Sequence, residues 1–267
     1  MYFKKKDLIY ILREWKKKKK KPLISIITVV KNDEKKILKT VKSVLQQKNK
    51  KIEYIVIDGK SKDRTYSRIK KYKYNIDFLI SKKDKNMWEA VNNGIKLSSG
   101  KIVGIINSGD IYYKKTFKIV EKYFKNKKNL DYLFGPVKKD RILFRFEPEK
   151  LYYRFNIYPS HSSGFFITKD AHKKIGYYNE NLKFGADHDL FYRMIVKHKL
   201  LGTIAKKKEL FGKFDMHGAS SKIPFYVTYF YEMLVRYKNG QNIIYLFFLY
   251  LIKIINKFYR MIFTKYV

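Results

Sequence analysis

Short apolar segments and amphipathic helices alternate along the first half of this chain, and that alternation restricts the fold more than any other feature. Residues 23–30 are rich in β-branched residues and too apolar on both faces for a solvated strand, which indicates a buried parallel strand. Similar segments lie at residues 52–58, 78–81 and 102–107, with helices between them, the first over residues 34–47. The pattern predicts an α/β fold with a Rossmann-like, mostly parallel sheet flanked by helices, whose ligands bind beyond the carboxyl ends of the strands.

The second half of the chain is less regular, and no linker rich in Pro, Gly or Ser separates it from the first half. We therefore predict one main domain over residues 22–224. A basic amphipathic segment over residues 1–21 precedes it, and an amphipathic helical tail rich in basic and aromatic residues, over residues 225–267, follows it.

Cysteine is absent from all 267 residues, which excludes disulfide scaffolds, cysteine-based zinc sites, iron–sulfur clusters and thiol nucleophiles. Hydrophobic residues make up 45% of the chain, enough to build a packed core, so a disordered polycation is also excluded. Any chemistry must rely on carboxylates, histidines, hydroxyls or a metal ion held by oxygen ligands.

The chain carries 61 Lys and Arg against 23 Asp and Glu, a formal net charge of +38. Such an excess favours a polyanionic partner, which could be nucleic acid, an anionic membrane surface or a phosphate-bearing small molecule, although a general abundance of Lys explains it equally well. A basic nucleic-acid-binding protein is the main alternative from another functional class. It leaves unexplained why acidic residues follow the strands, where they would repel phosphates, so we expect no nucleic-acid partner.

The scarce acidic residues are informative because of where they lie. Asp58 ends the second strand, Asp84 follows the third and Asp110 follows the fourth. In a doubly wound sheet such strand ends share one edge, so these carboxylates are expected to line one crevice. Each of them alone could instead be a turn former or a helix cap. Together they predict a site for Mg²⁺ or Mn²⁺ and a phosphorylated ligand, since these ions prefer oxygen ligands.

Asp187 and Asp189 stand directly before a helix predicted around residues 190–198. One carboxylate suffices there as a helix cap, which leaves the other available as a general base. His161 and His217 lie in polar loop sequences, where a lone histidine is often incidental; with Asp189 they are candidates for the acceptor or donor side of a site. No GxxxxGKS or GxGxxG motif occurs, which argues against P-loop and dinucleotide-binding proteins.

Four blocks of the sequence, in order, resemble the inverting glycosyltransferases of family 2, which have the GT-A fold. The blocks are PLISIITVVKN at 22–32, YIVIDGKSKDRT at 54–65, SKKDKNMWEAVNNGI at 81–95 and IINSGD at 105–110. The similarity covers residues 22 to about 119 and continues more weakly to residue 221. Enzymes of this kind are typical of bacterial polysaccharide and lipooligosaccharide synthesis.

The resemblance implies a role for each matched residue. Asp110 would hold the metal ion, Mn²⁺ or Mg²⁺, and Asp187 would deprotonate the acceptor hydroxyl. Asp58 would contact the nucleotide base, usually uracil. The residues expected to bind the nucleotide-sugar donor are Val30, Asn32, Asp58, Asp84 and Asn107.

Two glycines depart from the family pattern. Gly109 stands where the first of two paired acids is often found before Asp110, and Gly59 replaces a second acid after Asp58. One protein carboxylate, diphosphate oxygens and water would then have to hold the metal ion.

The activity that the resemblance implies is inverting, metal-dependent transfer of a hexosyl-type sugar from a nucleotide-diphosphate sugar, with UDP as the expected nucleotide. The acceptor would be a hydroxyl of a glycan or of a lipid-linked molecule in cell-surface polysaccharide synthesis. Inversion needs a base on the acceptor side of the anomeric carbon and neutralised charge on the leaving diphosphate, roles that suit Asp187 and a cation at Asp110. A catalytically degenerate family member is the remaining alternative.

Both ends of the chain combine lysines with apolar residues. Residues 16–21 are all lysine, and Lys253, Lys257 and Arg260 recur at helical spacing in the tail. The longest charge-free apolar run of the tail, residues 243–252, is too short to span a bilayer, and the N-terminus lacks the pattern of a secretory signal. We therefore expect a cytoplasmic enzyme that is peripheral on the anionic inner face of the cell membrane. The alternative is a tail helix that packs on the core and presents a solvated Lys face.

Overall fold

The structure is a computed structural model that describes residues 21–154, 161–182, 184–216 and 223–263. Its strands are β1 (Ile24–Val30), β2 (Ile52–Asp58), β3 (Phe78–Ser81), β4 (Ile102–Asn107), β5 (Ile111–Tyr112), β6 (Tyr132–Phe134), β7 (Val137–Lys138), β8 (Ile142–Leu143), β9 (Phe165–Thr168), β10 (Gly202–Ile204) and β11 (Gly212–Lys213). Its helices are α1 (Ile37–Leu45), α2 (Thr65–Lys70), α3 (Met87–Leu97), α4 (Thr116–Asn126), α5 (Lys169–Ile175), α6 (Ala186–Tyr192), α7 (Phe225–Lys238) and α8 (Ile243–Phe263).

A seven-stranded sheet forms the centre of the molecule, in the order β10-β6-β9-β4-β1-β2-β3. β1 pairs in parallel with β2 and β4, whereas β9 runs antiparallel to both β4 and β6. The register aligns Val30 with Asp58 and Val29 with Asn107, so the carboxyl ends of β1, β2 and β4 meet at one edge. A smaller sheet, in the order β5-β11-β7-β8, is formed by segments that follow β4 and β6 and by β11.

Both faces of β1 are buried, which explains its uninterrupted apolar sequence. Ile27 and Val29 pack into the core on the side of α3, whereas Ile26 and Val30 pack into the core on the side of α1. α3 lies so close to β1 that a Cβ atom at Gly94 would be 2.5 Å from the Ile27 side chain. The mostly parallel sheet between helical layers confirms the predicted α/β fold class.

Two helices begin at other positions than the sequence indicates. α1 begins at Ile37 and not near residue 34, because the backbone N–H groups of Asp33 and Glu34 donate to the side chains of Thr65, at the start of α2, and Asp63, just before it. The helix expected at 190–198 begins at Ala186, after Gly185 in the left-handed conformation, and continues as a π-helical turn, Arg193–Lys197. Both differences arise from contacts and backbone conformations that apolar periodicity does not report.

The tail forms two helices, and the first of them shares the core of the main domain. Val235 of α7 belongs to the core cluster that also contains Leu190 of α6. Arg236 is 2% exposed; it donates to Glu232 Oε1 at 2.6 Å and to the Tyr152 carbonyl at 3.2 Å. α7 therefore packs on the core of the main domain.

α8 packs against α7 with one side only. Leu246 and Tyr229 form a small buried cluster between the two helices. The large apolar side chains that α8 exposes are Ile243, Ile244, Phe247, Phe248, Leu251, Ile252, Ile255, Phe258 and Tyr259. Among the helices of the described residues, none is both long and apolar enough to cross a membrane.

Candidate active site

A cavity of about 990 Å³ opens at the edge of the sheet where β1, β2 and β4 end. Its walls come from the segments after β1 and β4, the start of α3, the loop before α6, and the residues after β11. The side chains expected at the site that line this cavity are Val30, Asn32, Asp84, Asn107, Asp110, His161 and Asp187. The doubly wound topology thus brings together residues that are up to 157 positions apart in the chain, from Val30 to Asp187.

Asn32 joins two loops at the β1 end of the cavity. It adopts a left-handed conformation with φ of 51°, which Asn tolerates better than most residues. Its N–H donates to Ser61 Oγ at 2.8 Å, and its Oδ1 accepts from the Lys62 N–H at 2.8 Å. This clamp holds the loop after β2 against the loop after β1, next to Val30 and Gly59 on the cavity wall.

Asp58, which we expected at the site, is fully buried and is not among the residues that line the cavity. Its Oδ2 accepts from Ser81 Oγ at 2.6 Å and from the Ser61 N–H at 3.2 Å. These bonds connect the ends of β2 and β3 to the loop that Asn32 clamps. In this conformation Asp58 shapes the cavity through the loop, and both of its carboxylate oxygens already accept hydrogen bonds.

Asp84 and Asn107 both lie on the cavity wall, but they differ in how many of their side-chain atoms form hydrogen bonds. Asp84 Oδ1 is 3.1 Å from Lys82 Nζ and accepts from Asn93 Nδ2 at 3.2 Å, whereas its Oδ2 is buried and has no hydrogen-bond partner among the described residues. Asn107 Nδ2 donates to Ser162 Oγ at 3.2 Å. Asp84 therefore offers an unsatisfied acceptor to a ligand in the cavity.

Asp110 is 1% exposed and lies deep in the cavity wall. Its Oδ1 accepts from the Asp215 N–H at 2.9 Å, and its backbone carbonyl accepts from Thr40 Oγ1 at 2.7 Å. Oδ2 is buried with no hydrogen-bond partner among the described residues. Burial raises the pKa of Asp110 to about 7, and the nearby Asp215 carboxylate adds to the rise.

His161 lies beside Asp110, with 3.7 Å between its Nδ1 and Asp110 Oδ2. Burial lowers the pKa of His161 to about 4, so the ring is neutral at pH 7 and does not form a charged pair with the carboxylate. Its Nδ1 is also 2.9 Å from Ser162 Oγ, and the ring packs on Phe214 with 3.8 Å between centroids. His217 lies outside the described residues.

Asp187 and Asp189 occupy the same helical turn but have different surroundings. Asp187 lines the cavity, where its Oδ1 accepts from the His188 N–H at 3.0 Å. Asp189 is buried, forms an ion pair with Arg193 at 2.7 Å and accepts from Asn239 Nδ2 at 2.8 Å. Asp189 therefore joins α6 to the end of α7, and the structure does not support a role for it on the acceptor or donor side.

The wall between Asp84 and Asp187 is built around α3. Asn86 caps this helix by accepting from the N–H groups of Trp88 and Glu89. The Trp88 ring stacks on Tyr178 with 4.9 Å between centroids. Asn92 Nδ2 donates to the Tyr178 carbonyl and to Glu180 Oε1, both at 2.8 Å, which fixes the loop that leads to α6.

Asp215 is the main residue of the cavity that the sequence reasoning missed. The Asp215 side chain is 9% exposed. Its Oδ2 lies 2.9 Å from Lys36 Nζ and 3.5 Å from Lys39 Nζ. Asp33 was also missed; its Oδ2 accepts from Ser108 Oγ at 2.7 Å. The signal for Asp215 was available, because acids are scarce in this chain and it stands two residues before His217.

The donor set of the cavity suits a hard divalent cation only in part. No group of three or more His, Asp or Glu side chains within the described ranges has the arrangement of a complete metal site. Asp110 Oδ2, however, is a buried carboxylate oxygen without a hydrogen-bond partner there, which is the type of ligand that Mg²⁺ and Mn²⁺ prefer. Asp110 therefore fits as a ligand of an ion whose remaining ligands come from elsewhere.

Solved structures of other proteins share this fold. The chain matches S. aureus TarS 1-349 in complex with UDP-GlcNAc at a TM-score of 0.62 and 18% identity, covering 80% of this chain and 65% of that one. It matches the mannosyltransferase PcManGT from Pyrobaculum calidifontis, in complex with GDP-Man and Mn²⁺, at a TM-score of 0.57 and 14% identity, covering 85% and 68%. At these identities the likeness concerns the fold, and it confirms the expected GT-A architecture.

Sequence comparison identifies the family. "Uncharacterized glycosyltransferase MJ1057" from Methanocaldococcus jannaschii is 25% identical over 158 residues, which cover 53% of this chain and 53% of that protein. The chain thus spans about half the length of this relative. A model of the family described as "Glycosyl transferase family 2" matches residues 25–201. Because this match includes well over half of its residues, the chain belongs to glycosyl transferase family 2.

Proposed function

We propose that this glycosyltransferase moves a sugar from a nucleotide-diphosphate sugar to an acceptor hydroxyl with inversion at the anomeric carbon. The observation that carries the proposal is the presence of Asp187 and Asp110 on the walls of one cavity, while Asp189 is held elsewhere by Arg193. An inverting transfer needs a base on the acceptor side of the anomeric carbon. On the other side it needs a group that neutralises charge on the leaving diphosphate. These two carboxylates are suited to those two tasks.

In the proposed reaction the Asp187 carboxylate accepts the proton of the acceptor hydroxyl as the oxygen forms its bond to the anomeric carbon. The bond between that carbon and the diphosphate oxygen breaks, and the nucleoside diphosphate leaves with the bonding electrons. A bound Mn²⁺ or Mg²⁺ would neutralise charge on the leaving diphosphate, with Asp110 as a ligand. Lys31 and Lys85 also line the cavity and supply positive charge for the same anion.

UDP is the nucleotide we propose, and a hexosyl group is the sugar. The support is the similarity in fold to TarS, whose solved complexes contain UDP-GlcNAc and UDP. The clamped loops around Asn32 and Gly59 would hold the base. The mannosyltransferase PcManGT was solved with GDP-Man, so a GDP-sugar is the main alternative donor.

A donor screen tests this proposal. The purified full-length chain is incubated with UDP-hexoses, UDP-N-acetylhexosamines and GDP-Man in the presence of Mn²⁺, and released nucleoside diphosphate is measured. We expect release from a UDP-sugar above the level of the Asp187→Asn variant. Release from GDP-Man alone would exclude UDP, and release from none of these donors, with and without added glycan acceptors, would contradict the proposed activity.

We further propose that the enzyme works on the cytoplasmic side of an anionic membrane, on a lipid-linked or glycan acceptor used in cell-surface polysaccharide synthesis. The support is the exposed side of α8, where large apolar residues recur every three or four positions. Ile244, Phe248, Ile252, Ile255 and Tyr259 follow this spacing, and each is more than half exposed. Such a face suits the boundary between lipid headgroups and acyl chains.

Charge favours an anionic membrane over a second copy of this chain as the occupant of that face. The net charge of +38 makes two copies repel each other, whereas it attracts an anionic leaflet. Lys257 lies at the border of the apolar face, with its Nζ 5.8 Å from the ring centre of Phe225 on α7. A lysine in this position can reach lipid headgroups while its stem stays on the helix.

A further inference from the structure

An acid often precedes Asp110 in the family motif, at the position that Gly109 occupies here. The backbone at Gly109 shows where the side chain of that acid would lie. Gly109 has a φ of +97°, and a Cβ atom built on it would be 2.5 Å from Asp215 Oδ2 and 3.1 Å from Asp215 Cβ. The carboxylate of Asp215 therefore fills the space into which a side chain at position 109 would point. A glycine is required at this position both by the backbone conformation and by the approach of Asp215.

The small sheet explains why Asp215 reaches this position. β5 begins directly after Asp110 and pairs antiparallel with β11, with Ile111 opposite Lys213. Because the two strands run in opposite directions, the residues after Lys213 run alongside those before Ile111. The bond from the Asp215 N–H to Asp110 Oδ1, 2.9 Å long, continues this pairing. Asp215 is thus held beside Asp110 by backbone geometry.

Two carboxylates so close together in a poorly hydrated wall need positive charge between or beside them. Asp110 is 1% exposed, and its Oδ2 has no hydrogen-bond partner in the described part of the chain. Lys36 and Lys39 lie within 3.5 Å of Asp215 Oδ2. Both carboxylates line the cavity. Two separate chain segments thus bring a carboxylate each to one wall of the cavity.

We propose that Asp215 is a second carboxylate ligand of the divalent cation, together with Asp110, and that it replaces the acid absent at Gly109. Mn²⁺ and Mg²⁺ commonly take one or two protein carboxylates and complete their coordination with phosphate oxygens and water. The proposal rests on the proposed function for one point, the diphosphate that shares the ion. When the ion binds, the carboxylate of Asp215 exchanges its contact with Lys36 for the cation.

The competing explanation is that Lys36 itself takes the place of the ion. In that case its ammonium, held by Asp215, would neutralise the leaving diphosphate, and no divalent cation would be needed. The two explanations differ in what they predict for direct metal binding, because only the first makes Mn²⁺ affinity depend on Asp215.

The test is a titration of the full-length chain with Mn²⁺, in which the EPR signal of the free ion reports binding, with and without UDP. Asp215→Asn keeps the size of the side chain and the N–H that donates to Asp110. We expect Asp215→Asn and Asp110→Asn each to lower Mn²⁺ affinity by about tenfold or more, since even the loss of a residue that only supports a metal ligand typically costs about 10–100-fold in affinity. Lys36→Met should bind Mn²⁺ in the absence of UDP at least as tightly as the unmodified chain.

Asp77→Asn is the matched control, because the Asp77 side chain is also only slightly exposed, has a lysine partner, Lys48 Nζ at 3.0 Å, and does not line the cavity. It should bind Mn²⁺ like the unmodified chain, and thermal unfolding of each variant reports whether the fold is kept. If the Asp215→Asn variant binds Mn²⁺ with unchanged affinity, the proposal is overturned. A failure of the unmodified chain to bind Mn²⁺ in the presence of UDP would also overturn it.

Donor cleavage measured in EDTA separates this proposal from the proposed function. Sugar transfer that persists in EDTA would agree with the proposed transferase activity and contradict the proposed cation site. If Mn²⁺ binding depends on Asp215 but the chain cleaves no donor, the result would support the proposed cation site and contradict the proposed transferase activity.

Discussion

Arg193 Nη2 lies 2.7 Å from Asp189 Oδ2, and this ion pair distinguishes Asp189 from Asp187, which is two residues away on the same helix. Asp189 has both oxygens occupied, since Asn239 Nδ2 donates to the other one at 2.8 Å. Asp187 lines the cavity. Neighbouring carboxylates of one short segment therefore have different surroundings, and the first prediction tests whether their roles differ too.

Replacing Asp187 by Asn should lower kcat by roughly 10²–10⁴-fold, the usual contribution of a positioned general base, because Asn cannot accept the proton. Donor affinity should change little, since the side chain keeps its size. Asp189→Asn should instead lower the free energy of unfolding by about 2 kcal/mol or more, because it leaves the half-buried Arg193 guanidinium without its charge partner. Steady-state kinetics and urea unfolding measure the two effects. A stable, inactive Asp189→Asn beside an active Asp187→Asn would reverse the assignment.

Replacing Asp110 by Ala should abolish metal-dependent transfer while the chain stays folded. The reason is that Asp110 is the acid of the motif after β4 and presents a buried oxygen without a hydrogen-bond partner in the described residues. Turnover is measured over a range of Mn²⁺ concentrations, with circular dichroism as the control for folding. Undiminished turnover at limiting Mn²⁺ would exclude Asp110 from the site.

The raised pKa of Asp110 predicts how its charge affects stability in the absence of metal. The pKa is about 7 in the folded chain against 3.8 as the ordinary value, so between these pH values the folded state holds a proton that the unfolded state has lost. Ionisation of Asp110 therefore reduces stability progressively as the pH rises from about 4 to 7. Asp110→Asn has no such cost, and its stability relative to the unmodified chain should increase by on the order of 3 kcal/mol over that range.

Urea unfolding of both proteins in EDTA at a series of pH values measures this difference. The comparison removes the pH dependence of all other groups, because they are common to both proteins. A difference in unfolding free energy that stays constant from pH 4 to pH 8 would show that Asp110 is not protonated in the folded chain near neutral pH.

Asp58→Asn should raise the KM for the donor and leave kcat nearly unchanged, because Asp58 positions the loop after β2. Ser81→Ala removes the 2.6 Å hydrogen bond that Ser81 Oγ donates to the same carboxylate. If Asp58 acts through this network, the two variants should raise KM by similar factors. A much larger effect of Asp58→Asn than of Ser81→Ala would indicate direct contact with the base, as the family resemblance implies.

The double variant Phe248→Glu, Ile252→Glu should lose most binding to anionic vesicles in co-sedimentation. Both side chains are more than half exposed on α8, and carboxylates there oppose insertion as well as attraction to anionic lipid. Deleting the whole tail is unsuitable, because Val235 and Arg236 of α7 belong to the core.

Tyr74→Glu, Leu201→Glu is the matched control, with the same change in charge at exposed apolar residues outside α8. It should keep vesicle binding, and binding of the unmodified chain should weaken at high salt. Equal binding by both double variants would mean that α8 does not contact the membrane. A concentration-dependent dimer that the α8 variant abolishes would identify a second copy as the occupant.

Much of this protein was determined by the sequence alone. The buried character of β1 and β2 and the positions of acids at strand ends were readable because burial on both faces demands continuous apolar residues, and because parallel strands must share an edge. The sequence thereby determined the fold class, the edge that carries the cavity, and the presence there of Asp84 and Asp110. These properties depend on local pattern and chain topology.

Only the tertiary structure decided which side chains face the cavity and which support it. Asp58 turned inward to Ser81 on the neighbouring strand, and Asp189 turned to Arg193 and to Asn239 at the end of α7. Asp215 came to lie beside Gly109, 106 positions earlier in the chain, through the pairing of β5 with β11. The direction of a carboxylate depends on the hydrogen-bond donors and charges that distant segments bring to it, and a linear pattern of residues does not contain that information.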